Sequence, residues 1–96
     1  MFPGLTTKLS EETVASAASI NVKADIVKLT GTTAIATIIP NFGGGFSGII
    51  VVVPTGGAVA TLTTGNISLA VTMPDERATV LVYSKENNLW YPGAIS

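Results

Sequence analysis

From Ile26 onward, apolar and β-branched residues come in short runs that Gly, Pro or Asn interrupts every few positions. This pattern is typical of many short strands, and the apolar spacing that an amphipathic helix requires never develops. The sequence therefore predicts an all-β chain. We expect strands near residues 26–30, 33–39, 46–53, 58–62, 66–72, 79–83 and 89–91.

The turn signals between these runs have separate physical causes. Residues 56–57 and 65–66 contain glycine, which permits the positive φ of tight hairpin turns. Residues 74–76 predict a β-turn because proline presets φ at its first central position, and residues 84–88 read as a polar hairpin loop. Together with the strand pattern, these signals predict a small antiparallel β-sandwich or barrel.

The N-terminal region is less regular than the rest. Residues 10–20 combine a fair helix start at Ser10 with a following segment that lacks an apolar stripe, and the extended alternative is favoured. Residues 1–8 have no pattern that would bury them on their own domain. We therefore expect an extended N-terminal arm over 1–12 and one β-domain over 13–96. The arm is either a loose terminus, the commoner case, or a segment that docks on a neighbour.

Composition limits how such a chain can be stabilised. With 96 residues the core is thin, and the absence of Cys and His rules out disulfides and the usual zinc ligands. Only 11% of the residues are charged and 47% are hydrophobic. A surface this apolar usually meets another molecule, so we expect oligomerisation and neither a metal nor a cofactor.

Several classes of partner are disfavoured. The longest apolar run, Ile49 to Val53, is far shorter than the roughly 18 residues of a spanning helix, so no membrane partner is expected. The start lacks the basic and apolar segments of a signal peptide, which predicts cytoplasmic synthesis. The net charge is −1 and the basic residues are scattered, so the sequence predicts no basic patch that could bind the phosphates of a nucleic acid.

The sequence offers no catalytic constellation. No histidine is present to activate a serine, and no S-x-x-K spacing occurs. The neighbouring carboxylates at 11–12 and at 75–76 are expected to be solvated, because neighbours on an extended chain point to opposite faces. Residues 43–48 satisfy G-x-G-x-x-G but lead into a predicted strand, whereas a dinucleotide fingerprint must open a helix. We expect neither an enzyme nor a small-molecule substrate.

A longer pattern links these segments. An "LTGT" strand at 29–32 leads to Pro40, the glycine-rich loop 43–48, the apolar strand 49–53, a "TTGNISLA" segment at 63–70 and the closing strands 80–83 and 89–92. Over roughly residues 12–92 this pattern resembles small β-domains of tailed-bacteriophage structural proteins. The resemblance implies a component of a tail fibre, a head fibre or the capsid surface, generally a trimer.

The brevity of the chain favours one of these roles. It begins at Met1 and has almost no sequence for a separate shaft or receptor-binding head, so we expect a capsid decoration (cement) protein. Such a protein is predicted to be a homotrimer on the outer surface of the virion head, bound to the major capsid protein. The alternative is a carbohydrate- or receptor-binding domain of a phage tail or head fibre.

The predicted contact residues with the capsid or with neighbouring subunits are apolar and aromatic. Trp90 could stack on a sugar ring or on a subunit, although a core position is the more usual one for it. Phe42 and Phe46 flank the glycine run and could simply close the end of a sheet. The complete set of candidates is Phe2, Leu5, Phe42, Phe46, Trp90 and Tyr91.

Overall fold

The computed structural model describes residues 9–40 and 46–95, and over these ranges the chain forms nine strands and no helix. The prediction of an all-β protein is thereby confirmed. The strands are β1 (Glu11–Ala15), β2 (Ser19–Asn21), β3 (Ile26–Thr30), β4 (Thr37–Ile39), β5 (Gly48–Pro54), β6 (Val59–Ala60), β7 (Thr72–Met73), β8 (Thr79–Ser84) and β9 (Leu89–Ile95).

The main structural element is a five-stranded sheet in the order β1-β3-β5-β8-β9. Strands β1, β3 and β5 are parallel, whereas β8 and β9 continue the sheet in antiparallel pairing. Two small sheets accompany it, a parallel β2-β4 pair and an antiparallel β6-β7 pair. The prediction of an antiparallel fold is therefore wrong for the first half, and the described strands form no closed barrel.

The parallel pairing arises because the chain leaves the large sheet after each of its first three strands. After β1 and β3 it enters the small sheet through β2 and β4, which pair with each other in parallel, and after β5 it reaches β6. Strands β3 and β5 therefore each run in the same direction as the large-sheet strand before them. A β-strand, and not a helix, forms each crossover.

The corners of these windings stack closely and require small residues. Gly31, after β3, has φ of +75°, and a Cβ on Gly56, after β5, would lie 2.9 Å from the Gly31 nitrogen. The Ser16 hydroxyl, after β1, accepts a hydrogen bond from the Thr33 amide at 3.0 Å. Residues 56–57 thus form a corner between two sheets, and the prediction of a hairpin turn there is wrong.

The second half matches the turn predictions better. Residues 85–88 form the tight connection between β8 and β9, with Asn88 at φ of +54°. The turn at 75–76 is present, and the Glu76 amide donates to the Pro54 carbonyl at 2.8 Å. The predicted strand over 66–72 is largely wrong, because this segment holds only an isolated bridge at Ile67 before β7 begins.

The hydrophobic core lies between the large sheet and the two small ones. Every second residue of β3, β5 and β8 points into it, and β2 and β4 contribute Ile20 and Ile38 from the other side. Trp90 of β9 is its largest side chain. The core cluster comprises Ile20, Val22, Val27, Leu29, Ile35, Ile38, Ile50, Val52, Val59, Ile67, Met73, Leu81 and Trp90.

The predicted arm overlaps the first strand. Glu11 and Glu12 belong to β1, so the boundary at residue 12 falls inside a paired element. The Glu12 carboxylate accepts hydrogen bonds from the amides of Lys23 and Ala24, the second at 3.0 Å. Glu12 therefore fastens the turn that precedes β3, a structural role that the expectation of a solvated carboxylate missed. The rest of the proposed arm, residues 1–8, lies outside the described residues.

Candidate interaction surface

The side of the large sheet that faces away from the core is apolar over its central and C-terminal strands. Ile49 of β5 is the direct partner of Val82 of β8, which in turn is the partner of Tyr91 of β9. Their exposed fractions are 58%, 39% and 38%. This row runs straight across three adjacent strands.

A second row lies beside the first. Val51 of β5 is flanked by Ile26 of β3 and Val80 of β8, and Val80 is 38% exposed. Val53 of β5 extends the same side of the sheet beyond Val51. We refer to this surface as the outer face, consisting of Ile26, Ile49, Val51, Val53, Val80, Val82, Leu89 and Tyr91.

Charge is confined to one margin of this side of the sheet. Among the described strands, the charged residues that share its orientation are Glu11 of β1, the direct partner of Ile26, and Lys28 of β3, the direct partner of Val53. Their side chains form an ion pair with Oε2 and Nζ 3.0 Å apart. An exposed pair of this kind adds little stability, but it leaves the margin without net charge. The outer face itself carries no ionised group.

The unusual property of the outer face is that it remains uncovered by the described chain. An antiparallel sheet exposed on one side normally alternates apolar residues toward the core with polar residues toward water. Strand β5 instead reads GIIVVVP, an unbroken apolar run typical of a strand buried on both sides. The described residues bury only one side of β5. The sequence thus held a signal for the outer face, although Ile49, Val80 and Val82 were not among the predicted contact residues.

The structure separates the predicted contact residues. Trp90 is fully buried, and its indole Nε1–H donates to the Ile38 carbonyl at 3.0 Å. Its ring packs at a tilt against that of Tyr83, with the centroids 5.1 Å apart. The expected core position of Trp90 is confirmed, and its assignment to a contact surface is wrong because the indole is enclosed by its own domain.

Two other predicted residues do reach the surface. Tyr91 lies on the outer face, and its hydroxyl accepts a hydrogen bond from Asn87 Nδ2 at 2.9 Å. Phe46 is 65% exposed and comes just before β5, beside Ser47, whose hydroxyl accepts from the Lys85 amide of the β8-β9 turn. The structure does not bring Phe46 into the rows of the outer face. Phe2, Leu5 and Phe42 lie outside the described residues.

The carboxylates of Asp25 and Asp75 have structural partners. Asp25 Oδ2 accepts from both the amide and the hydroxyl of Ser10, at 3.1 Å each. Asp75 Oδ1 accepts from the Gly57 amide at 3.0 Å and so ties two turns together. Within the described ranges, no three Asp or Glu side chains gather where they could hold a metal ion. The same ranges contain no helix capable of crossing a membrane.

Comparison with known proteins gives no match: no family model fits the chain, and no curated protein or solved structure is significantly similar to it. The likeness to phage structural domains therefore remains a prediction from the sequence.

Proposed function

We propose that this protein is a structural component of a phage virion, a decoration protein that binds the outer surface of the head as a homotrimer and stabilises the shell. The observation that carries the proposal is the outer face, an uncharged row of β-branched and aromatic side chains left exposed on a small domain. Exposed apolar patches of this kind mark surfaces of interaction. Its partners would be other copies of the chain and the major capsid protein.

Elementary thermodynamics supports such a role. A ligand that binds only the assembled shell shifts the assembly equilibrium toward that state by mass action. Several modest contacts on one oligomer add through their high effective concentration, so no single contact needs to be strong. Apolar contacts with few charges also avoid the cost of removing ions from water.

The assignment of the polar side chains is consistent with a non-catalytic protein. Glu12 and Asp75 accept hydrogen bonds from backbone amides at turns, Asp25 accepts from the Ser10 amide just before β1, and Glu11 pairs with Lys28. These contacts fix the turns that connect the strands. We therefore place the function in the surfaces of the protein and propose no reaction for it.

Co-sedimentation with purified empty heads, followed by native mass spectrometry of the released protein, tests the proposal. We expect saturable binding and release of a trimer. A variant lacking residues 1–8 should keep its fold, because the described core draws on residues from Ile20 onward, but lose binding if those residues grip the capsid. Wild-type protein that stays in the supernatant at every concentration would contradict shell binding, and a truncated variant that still saturates heads would contradict the role of the arm.

The alternative function, carbohydrate or receptor binding at a fibre, has to rely on fewer aromatic residues than the sequence suggested. Trp90 cannot stack on a sugar because it is enclosed in the core, which leaves Tyr91 and Phe46 among the described candidates. Binding of the protein to host-surface glycans, with no binding to heads, would favour this alternative.

A further inference from the structure

We infer that other copies of this same chain cover the outer face, so that the row of Ile49, Val82 and Tyr91 lies at the centre of the interface between subunits. The inference deepens the proposed function by naming the partner of this surface. It rests on that proposal only for the number of copies. The contact with the capsid would then belong to a different part of the chain.

The composition of the central strands is the first argument. Strands β5 and β8 place apolar residues on both sides of the sheet, and the core covers only one of these sides. A strand with two apolar sides is typical of a sheet packed on both faces. The outer face therefore has the pattern of an interior surface.

The second argument concerns charge. Where three copies pack around a common axis through the same face, identical groups from the copies come close to each other, so any net charge on the surface would be repelled by the like charge of the neighbouring copies. The outer face has no ionised residue, and the single ion pair at its margin, Glu11 with Lys28, is neutral overall. Charge repulsion therefore does not oppose contact between the outer faces of different copies.

The outer face is large enough to form the apolar centre of a subunit interface. The four strands that carry it, β3, β5, β8 and β9, lie about 4.8 Å apart and rise about 3.3 Å per residue, which gives a projected area on the order of 300 Å² per copy. Specific interfaces bury about 600 Å² or more of accessible surface from each partner, so residues around the outer face would contribute as well. A second copy has a face of matching size and shape.

Edge-to-edge growth at β9 is less suited to this role. The backbone N–H of Trp90 donates to the Asn66 carbonyl and its C=O accepts from the Ser68 amide, so a neighbouring segment occupies that edge. Pro92 has no N–H to offer to an added strand. Contact through the face is therefore favoured over extension of the sheet past β9.

Sedimentation velocity of the full chain over a wide concentration range tests the inference. Val82→Asp places a carboxylate at the centre of the outer face, and Leu69→Asp is the matched control because Leu69 is 56% exposed and lies in an irregular segment away from this face. Val82→Thr is a milder, nearly isosteric variant that retains strand propensity. Circular dichroism establishes that each variant is folded.

We expect the wild type and Leu69→Asp to assemble alike. Val82→Asp should raise the concentration needed for half-assembly by about a hundredfold, since an unpaired charge would be buried, and Val82→Thr by about tenfold. If Val82→Asp fails to fold, Val82→Thr decides the outcome.

Three results would overturn the inference. They are a wild type that is monomeric throughout, Val82 variants that assemble like the wild type, and Val82 variants that lose only thermal stability, which would mean that another part of the same chain covers the face. Assembly that responds as expected, without any binding to heads, would contradict the proposed function and leave this inference standing.

Discussion

At the scale of single residues, Asn66 takes the place of a missing strand partner. Its side-chain Oδ1 accepts from the Ile38 amide at 2.9 Å, and its Nδ2 donates to the Ile38 carbonyl at 2.7 Å. One side chain thereby satisfies both backbone groups of a buried position in β4. These bonds also occupy the amide nitrogen of the Asn-Ile-Ser sequence at 66–68, the position that glycosylation would modify.

Asn66→Asp is expected to lower the free energy of unfolding by about 2–3 kcal/mol, because a carboxylate oxygen would face the Ile38 carbonyl in place of a donor. Asn21→Asp is the matched control, since Asn21 lies exposed in β2, and it should change stability by about 0.5 kcal/mol or less. Urea unfolding measures both. Equal unfolding midpoints for the two variants would contradict the double hydrogen bond.

Unlike the Asn66 amide, the buried hydroxyl of Thr79 is not satisfied by a hydrogen bond to another described residue. Its side chain is fully buried in β8, and among the described residues its Oγ1 has no hydrogen-bond partner. Thr79→Val removes this hydroxyl at nearly constant volume, so we expect a gain of about 1 kcal/mol in the free energy of unfolding. Thr72→Val, at an exposed position of β7, should be close to neutral. A destabilised Thr79→Val protein would mean that the hydroxyl is in fact satisfied.

At the scale of elements, the irregular segment that follows β6 is seated between β4 and β9 by backbone contacts. The Asn66 amide donates to the Ala36 carbonyl at 3.1 Å, and residues 66 and 68 bond the backbone of Trp90. Gly65 makes this approach possible, since a Cβ there would overlap with the Ala36 carbonyl oxygen. The segment therefore joins the two halves of the fold without being a strand.

Gly65→Ala should cost about 3 kcal/mol, at the upper end of what overpacking usually costs, because the Ala36 backbone and the Thr37 side chain would have to move. Thr64→Ala, one residue earlier and exposed, should change stability by about 0.5 kcal/mol or less. Thermal unfolding followed by circular dichroism compares the two. A Gly65→Ala protein as stable as the Thr64→Ala protein would contradict the close approach to β4.

The sequence predicted correctly the elements that local interactions determine, and it failed for those that depend on residues distant in the sequence. Strand β3 has the bounds that its local β-branched run predicted, and the β8-β9 turn follows from local polar residues. The parallel pairing of β1, β3 and β5 could not be predicted in this way, because partners 15 or more positions apart are chosen by packing and not by turn chemistry. The prediction of a strand at 66–72 is wrong because the Asn66 side chain, and not a paired strand, satisfies the backbone amide and carbonyl of Ile38 in β4.

At the scale of the whole molecule, the candidate surface was only partly predictable. The low charge and high apolar content correctly indicated exposed apolar surface, and Tyr91 was identified as part of it. Its extent depends on which residues share a side of the sheet, and therefore on the register of β5, β8 and β9. Trp90 was misassigned as a contact because its neighbours in space, Ile38 and Tyr83, come from distant parts of the chain.

The central claim is that the outer face is buried when the protein assembles, and cysteine labelling measures this directly because the natural chain has no Cys. Val82→Cys inserts a small apolar thiol at the centre of the face, and Leu69→Cys inserts one at an exposed position elsewhere. At concentrations that support assembly, a maleimide should modify Cys at 69 quickly and Cys at 82 slowly, with the difference lost on dilution or in urea. Equal labelling of the two sites in the native protein at every concentration would contradict the account.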